Sequence, residues 1–148
     1  YISKMIDLSY LNFVTLPLIT GKKEKQRVPN RSGLNWGQRP GRNENQAYLS
    51  VPAEIQKLNF FPQTGVKFKL ICDDEYDFFC IRAQQNGKAI HSCDDNSLIG
   101  KYFRKRLNLE SGQPIIYEHL VRYGRTSVDI YKKENILFFL DFSKIIKT

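Results

Sequence analysis

Val66-Lys67-Phe68-Lys69-Leu70-Ile71-Cys72-Asp73-Asp74-Glu75-Tyr76-Asp77-Phe78-Phe79-Cys80-Ile81-Arg82-Ala83 decides the fold class. Val66, Phe68, Leu70 and Cys72 alternate with Lys67, Lys69 and Ile71, the two-residue period of a half-buried strand. Asp73-Asp74-Glu75 supplies the turn, and Tyr76 to Ala83 returns, so the stretch predicts a β-hairpin. Immediately after it, Gln84-Gln85-Asn86-Gly87-Lys88 carries an Asn-Gly pair, a strong turn signal, and Ala89 to Cys93 continues as a further strand.

Downstream, Asp94-Asp95-Asn96-Ser97 is suited to cap a basic amphipathic helix over Leu98 to Leu109, with Leu98, Tyr102 and Phe103 inward and Lys101, Arg104, Lys105 and Arg106 outward. Strands are expected over Pro114 to Tyr123 and Ser127 to Tyr131, joined at Tyr123-Gly124-Arg125-Thr126. Lys132-Lys133-Glu134-Asn135 then turns the chain into a buried strand, Ile136 to Phe142. Upstream, Leu11 to Ile19 reads as an edge strand that tolerates Pro17, followed by a lysine-rich turn from Gly21 to Gln26. Ala47 to Val51 reads as a short strand, and Pro52 to Leu58 as a short helix. Together these elements predict a mainly β (α+β) open seven-stranded pseudobarrel with two short helices at its openings. Residues 1–27 are expected to form an N-terminal strand and basic turn packed on a barrel of residues 28–148, in a single domain overall.

Composition restricts the function. The chain has 148 residues, 41% hydrophobic and 13% aromatic, with a formal net charge of +8, a balance that favours a polyanion such as nucleic acid. It contains no apolar run of membrane-spanning length and no signal-peptide pattern, so an intracellular soluble protein is expected. The start at Tyr1 in already patterned sequence suggests a piece of a longer polypeptide. Cys72, Cys80 and Cys93 cannot all pair and lack zinc-site spacing, so reduced thiols, no metal and no cofactor are expected.

Arg31-Ser32-Gly33-Leu34-Asn35-Trp36-Gly37-Gln38-Arg39-Pro40-Gly41-Arg42-Asn43 reads as an exposed, shaped loop. Arg31, Arg39 and Arg42 carry forks that suit phosphate or the guanine edge, while Asn35, Gln38 and Asn43 carry amides that suit adenine. Trp36 either stacks on a base or sugar or, as the preferred reading, anchors its own loop. A second polar segment offers Arg82, Gln84, Gln85, Asn86, Lys88 and Asn96, with Asp94 or Asp95 either accepting from cytosine or capping the next helix. Lys101, Arg104, Lys105, Arg122, Arg125, Lys132 and Lys133 are the phosphate candidates, or simply a solvated face.

Tyr48-Leu49-Ser50-Val51-Pro52 running into a helix, Gly65 before the hairpin, the polar segment Gln84 to Asn96, the second helix and Leu109 to Gly112 resemble the B-three DNA-binding domain of plant transcription factors. The same pseudobarrel occurs in the effector-binding half of the restriction endonuclease EcoRII. Through Gly33-Leu34-Asn35-Trp36-Gly37-Gln38-Arg39 and Tyr123-Gly124-Arg125-Thr126 the chain is most similar to the carboxy-terminal DNA-binding domain of NgoFVII-type restriction endonucleases, over about Val28 to Phe142. The resemblance implies a wrench-like grip, with arms at Arg31 to Asn45 and Arg82 to Asn96 entering the major groove of double-stranded DNA. It also implies a bacterial cytoplasmic setting and, in the parent chain, an N-terminal phospholipase-D-type nuclease domain whose histidine and lysine motifs do not occur in this sequence. No catalytic residue, small-molecule substrate or membrane partner is expected. Two alternatives are a non-specific or single-stranded nucleic-acid-binding barrel, and a small cysteine-dependent enzyme using His91, Cys93 and Asp94, whose neighbours on one strand point to opposite faces.

Overall fold

A computed structural model describes residues 12–145. Seven strands, β1 (Asn12–Pro17), β2 (Leu49–Ser50), β3 (Phe68–Cys72), β4 (Asp77–Ala83), β5 (Ala89–Ser92), β6 (Ser127–Glu134) and β7 (Leu137–Asp141), form one sheet in the order β1-β6-β7-β3-β4-β5-β2. Every pairing is antiparallel except β3 with β7. The sheet curls into a nearly closed barrel whose edge strands, β1 and β2, approach each other without pairing. Pro17, which cannot donate to a ladder, ends β1 at that open edge. This is the mainly β pseudobarrel that the alternating pattern predicts.

The alternation works as expected in β3, where Phe68, Leu70 and Cys72 are buried. Phe60, Phe61, Phe68 and Phe138 pack with ring centroids 5.0–6.0 Å apart and fill one end of the barrel. Phe103 and Phe142, 4.9 Å apart, fill the other. Burying each ring contributes about 1.5–3 kcal/mol.

Three α-helices lie outside the sheet: α1 (Ala53–Gln56), α2 (Leu98–Arg106) and α3 (Tyr117–Tyr123). Part of the strand expected over Pro114 to Tyr123 is therefore helix. Tyr117 and the fully buried Leu120 recur at helical spacing, Ile116 N–H donates to Nδ1 of His119 at 3.0 Å, and Gly124 ends the helix with φ +107°. α2 stops three residues earlier than expected, with Asn108 at φ +59°. Arg104 and Arg106 also turn inward rather than outward. Arg106 makes a two-pronged pair with Asp73, Nη1 to Oδ1 at 3.1 Å and Nη2 to Oδ2 at 2.9 Å, and donates to the carbonyl of Phe142 at 2.9 Å. The Asp73 turn is thereby locked to α2 and to the end of β7.

Candidate nucleic-acid interface

The glycine-rich segment sits in the long connection between β1 and β2, and it is less open than its composition suggests. Gly33–Gln38 winds into 3-10 turns kinked at Asn35, with Gly33, Leu34, Asn35 and Gly37 buried. A side chain at Gly37 would collide with the carbonyl of Asn43, so the loop closes on itself there. Asn35 is a correction to the sequence reading: 2% exposed, it donates to the carbonyls of Pro29 at 2.9 Å and Ile115 at 2.7 Å and accepts from Ile115 N–H at 2.9 Å. With its amide spent, it is a brace and not a base reader. Gln38 is also committed, to the carbonyls of Glu44 at 3.0 Å and Gly112 at 3.1 Å.

What the loop presents outward is a smaller set. Arg31, Arg39, Arg42 and Asn43 are exposed. Arg39 spends only Nε, on the carbonyl of Arg31 at 2.9 Å, which leaves both terminal nitrogens of its fork without a partner among the described residues. Arg42 lies 4.2 Å over the Trp36 ring and donates to Oε1 of Gln46 at 2.8 Å. Trp36 itself packs edge-on against Tyr48, just before β2, at 5.4 Å and lies 6.1 Å from His91 of β5, so the ring packs against its own loop and that strand.

The second polar segment is divided by β5. Gln84, Gln85, Asn86 and Lys88 are exposed on the β4–β5 connection, where Gln84, Asn86 and Gly87 all take positive φ, a five-residue loop rather than a two-residue turn. Half-buried Arg82 holds this loop through Nε to the carbonyl of Gly87 at 3.0 Å. Asp94, Asp95 and Asn96 follow at the far end of β5, roughly 13 Å away at strand rise. They adjoin the first arm, since Ala47 N–H donates to the Asn96 carbonyl at 3.2 Å. The Gln84–Lys88 loop instead adjoins the far end of β2, where Val51 N–H donates to the Lys88 carbonyl at 2.9 Å. Two prongs thus project from opposite ends of the β2–β5 ladder. Asp94 is exposed, whereas Asp95 accepts from the backbone and hydroxyl of Ser97, whose bonds hold its carboxyl below the ordinary value. Those bonds form a turn just before α2, whose own N-terminus has no side-chain cap.

Residues 11–134 match the NgoFVII C-terminal B3-like DNA-binding domain. The chain belongs to that family. No curated protein matches the chain. This B3-like domain is therefore a DNA-binding module of the restriction-endonuclease-associated kind, and its charged residues sort by what they touch.

Lys101 and Lys105 are exposed on α2, Arg122 on α3 and Lys133 at the end of β6. Lys132 is half-buried, 5.9 Å from the Phe60 ring. Two phosphate candidates are buried and bonded within the fold. Arg125, 6% exposed, donates to Asp129 at 2.8 Å and to the carbonyls of Ser127 at 2.8 Å and Ser143 at 3.1 Å, with Asp141 at 3.4 Å. It welds the end of α3 and the segment just after β7 to β6 and β7. Arg104, 1% exposed, donates to the carbonyls of Gln113 at 2.8 Å and Gly100 at 3.1 Å. Burial pulls its pKa down to about 10, against the upward influence of Glu44, so it stays charged at neutral pH.

Sequence reasoning passed over Asn45 and Ser111. Asn45 is 6% exposed, donates to Oγ of Ser111 at 2.8 Å and accepts from Gly112 N–H at 2.8 Å. Its carbonyl packs where a side chain on Gly100 would sit, which explains a glycine inside α2. That glycine was the available signal. Among the described residues no group of three or more His, Cys, Asp or Glu side chains is placed to hold a metal ion, and no helix is long and apolar enough to cross a membrane.

Proposed function

We propose that this domain reads a specific double-stranded DNA sequence by setting its two prongs, Arg31 to Asn45 and Gln84 to Lys88, in the major groove. Cleavage is then supplied by a phospholipase-D-type nuclease domain elsewhere in a bacterial, cytoplasmic type II restriction endonuclease. The free fork of Arg39 carries the reading. An arginine held through Nε by a backbone carbonyl, with both terminal nitrogens open, is oriented for the O6 and N7 acceptors of guanine before DNA arrives. Gln84, Gln85 and Asn86 offer the donor and acceptor amides that suit adenine from the opposite prong. Lys88 and Arg42 supply charge beside them.

The fragment itself cuts nothing in this reading. His91 faces Trp36 and its Nδ1 lies 3.0 Å from the Ser92 carbonyl, while burial pushes the neighbouring Cys93 thiol up, so no activated nucleophile forms. A single-stranded mode would need a track of exposed rings, but Phe13 on β1 and Phe79 on β4 are separated by β6, β7 and β3, and Tyr76 stacks on Tyr102. Selection of bound duplexes from a random pool, using this chain alone, tests the proposal. A defined consensus is expected, with single strands competing poorly. A pool that stays random, or cleavage by the purified fragment, overturns it.

A further inference from the structure

The first prong is tied to a cavity that recognition of bases does not use. A pocket of about 250 Å³ lies between α2 and the loop after it, lined by Lys101, Arg104, Lys105, Asn108, Leu109 and Ser111. Three of these six residues are cationic and none is acidic. Lys101 and Lys105 stand one helical turn apart at its mouth, both exposed. Nη2 of Arg104 is the one buried side-chain nitrogen or oxygen without a partner among the described residues, and a native orphan of this kind calls for a missing ligand or water. The Ser111 hydroxyl accepts from Asn45, which leaves its own proton free to donate.

We propose that this pocket binds one backbone phosphate of the DNA duplex, held by Lys101, Lys105 and the Ser111 hydroxyl above the Arg104 guanidinium. The proposal rests on the DNA-binding role argued above and adds a position to it. Two acids border the pocket: Glu110, exposed between the lining residues Leu109 and Ser111, and Glu44 of the prong, which acts on Arg104 and lies against Gly112. The same Ser111-Gly112 pair holds Asn45 of the prong, so a phosphate seated here sets the register of Arg39 on the bases. Phosphate contacts of this kind position a reader without carrying sequence information.

The test pairs a Lys101→Gln, Lys105→Gln double variant with a scan of single methylphosphonate substitutions along the selected duplex. Both lysines are exposed, so the variant folds as the parent does. Its affinity should fall about 5- to 10-fold on selected and random duplex alike, and the salt slope by about one for the lost phosphate. One methylphosphonate position should weaken the parent and leave the variant unaffected. An unchanged slope, or equal sensitivity of parent and variant at every position, overturns the site. A flat scan, together with shifts of the Ser111 and Gly112 amide signals on titrating inorganic phosphate, would make it a free-anion site and overturn the DNA assignment. If selection yields no consensus but the variant's salt slope on random duplex still falls by about one, the phosphate site stands and base recognition fails.

Discussion

Asn35 and Ile115 exchange two hydrogen bonds across 80 residues of chain, the side-chain amide of one pairing with the backbone N–H and C=O of the other as a strand would. A long connecting loop needs a fixed root, and this pair supplies it. The root is buried, which is why Gly33 to Gly37 lie buried or half-buried while Arg31 before them and Arg39, Arg42 and Asn43 after them are exposed.

Asn35→Ala should therefore unfold more easily, by about 2–4 kcal/mol, because each buried group left without a partner costs about 1–3 kcal/mol. Urea titration checks this, with the midpoint falling and the m-value unchanged. A base-reading Asn35 would leave the midpoint where it is.

Arg125→Ala should behave in the same manner for a different reason. Removing one partner of a buried ion pair leaves Asp129 and Asp141 without their cation, though Thr15 and Ser143 still donate to them, and costs about 3–5 kcal/mol. In DNA titrations at a temperature where the variant is folded, the salt slope should match the parent. A slope lower by about one would return Arg125 to the phosphate contacts.

Arg39→Ala should leave the melting temperature within about 2 °C of the parent, the shift expected from at most about 0.5 kcal/mol at an exposed position. On the selected duplex it should lose about 1–3 kcal/mol, and on random duplex much less. Arg39→Lys should not restore discrimination, since an ammonium lacks the planar pair of donors. Equal weakening on both duplexes would make the arm a phosphate clamp.

Acid should loosen α3. His119 Nδ1 accepts from Ile116 N–H and must be unprotonated to do so; burial first, and then the Arg122 charge, hold its pKa below the ordinary value. The unfolded chain then binds the proton more readily, so the stabilisation is complete above about pH 6.5 and is lost as pH falls through the lower folded value. Melting temperature between pH 8 and 5 should fall less steeply for His119→Gln, which keeps an acceptor at the capping-box position without titrating there. Parallel profiles would show that His119 does not titrate against the cap.

The barrel was legible because alternation in β3, β4 and β5 is a local property written at a period of two, and the DNA-binding family was legible in the glycine-tryptophan-arginine stretch. One strand was misread because Pro114 to Tyr123 contains β-favouring residues, while its helix depends on a cap at His119 and a stop at Gly124. The roles of the arginines were not legible at all. Arg39, Arg104, Arg106 and Arg125 are one residue type in one basic chain, and only tertiary structure separates a free fork from three that brace carbonyls and carboxylates. A guanidinium is assigned by what lies within about 3 Å of it, and for Arg106 and Arg125 those groups include Asp73 and Asp141, distant in sequence. Composition favoured a polyanionic partner; burial decided which of the chain's charges stay exposed.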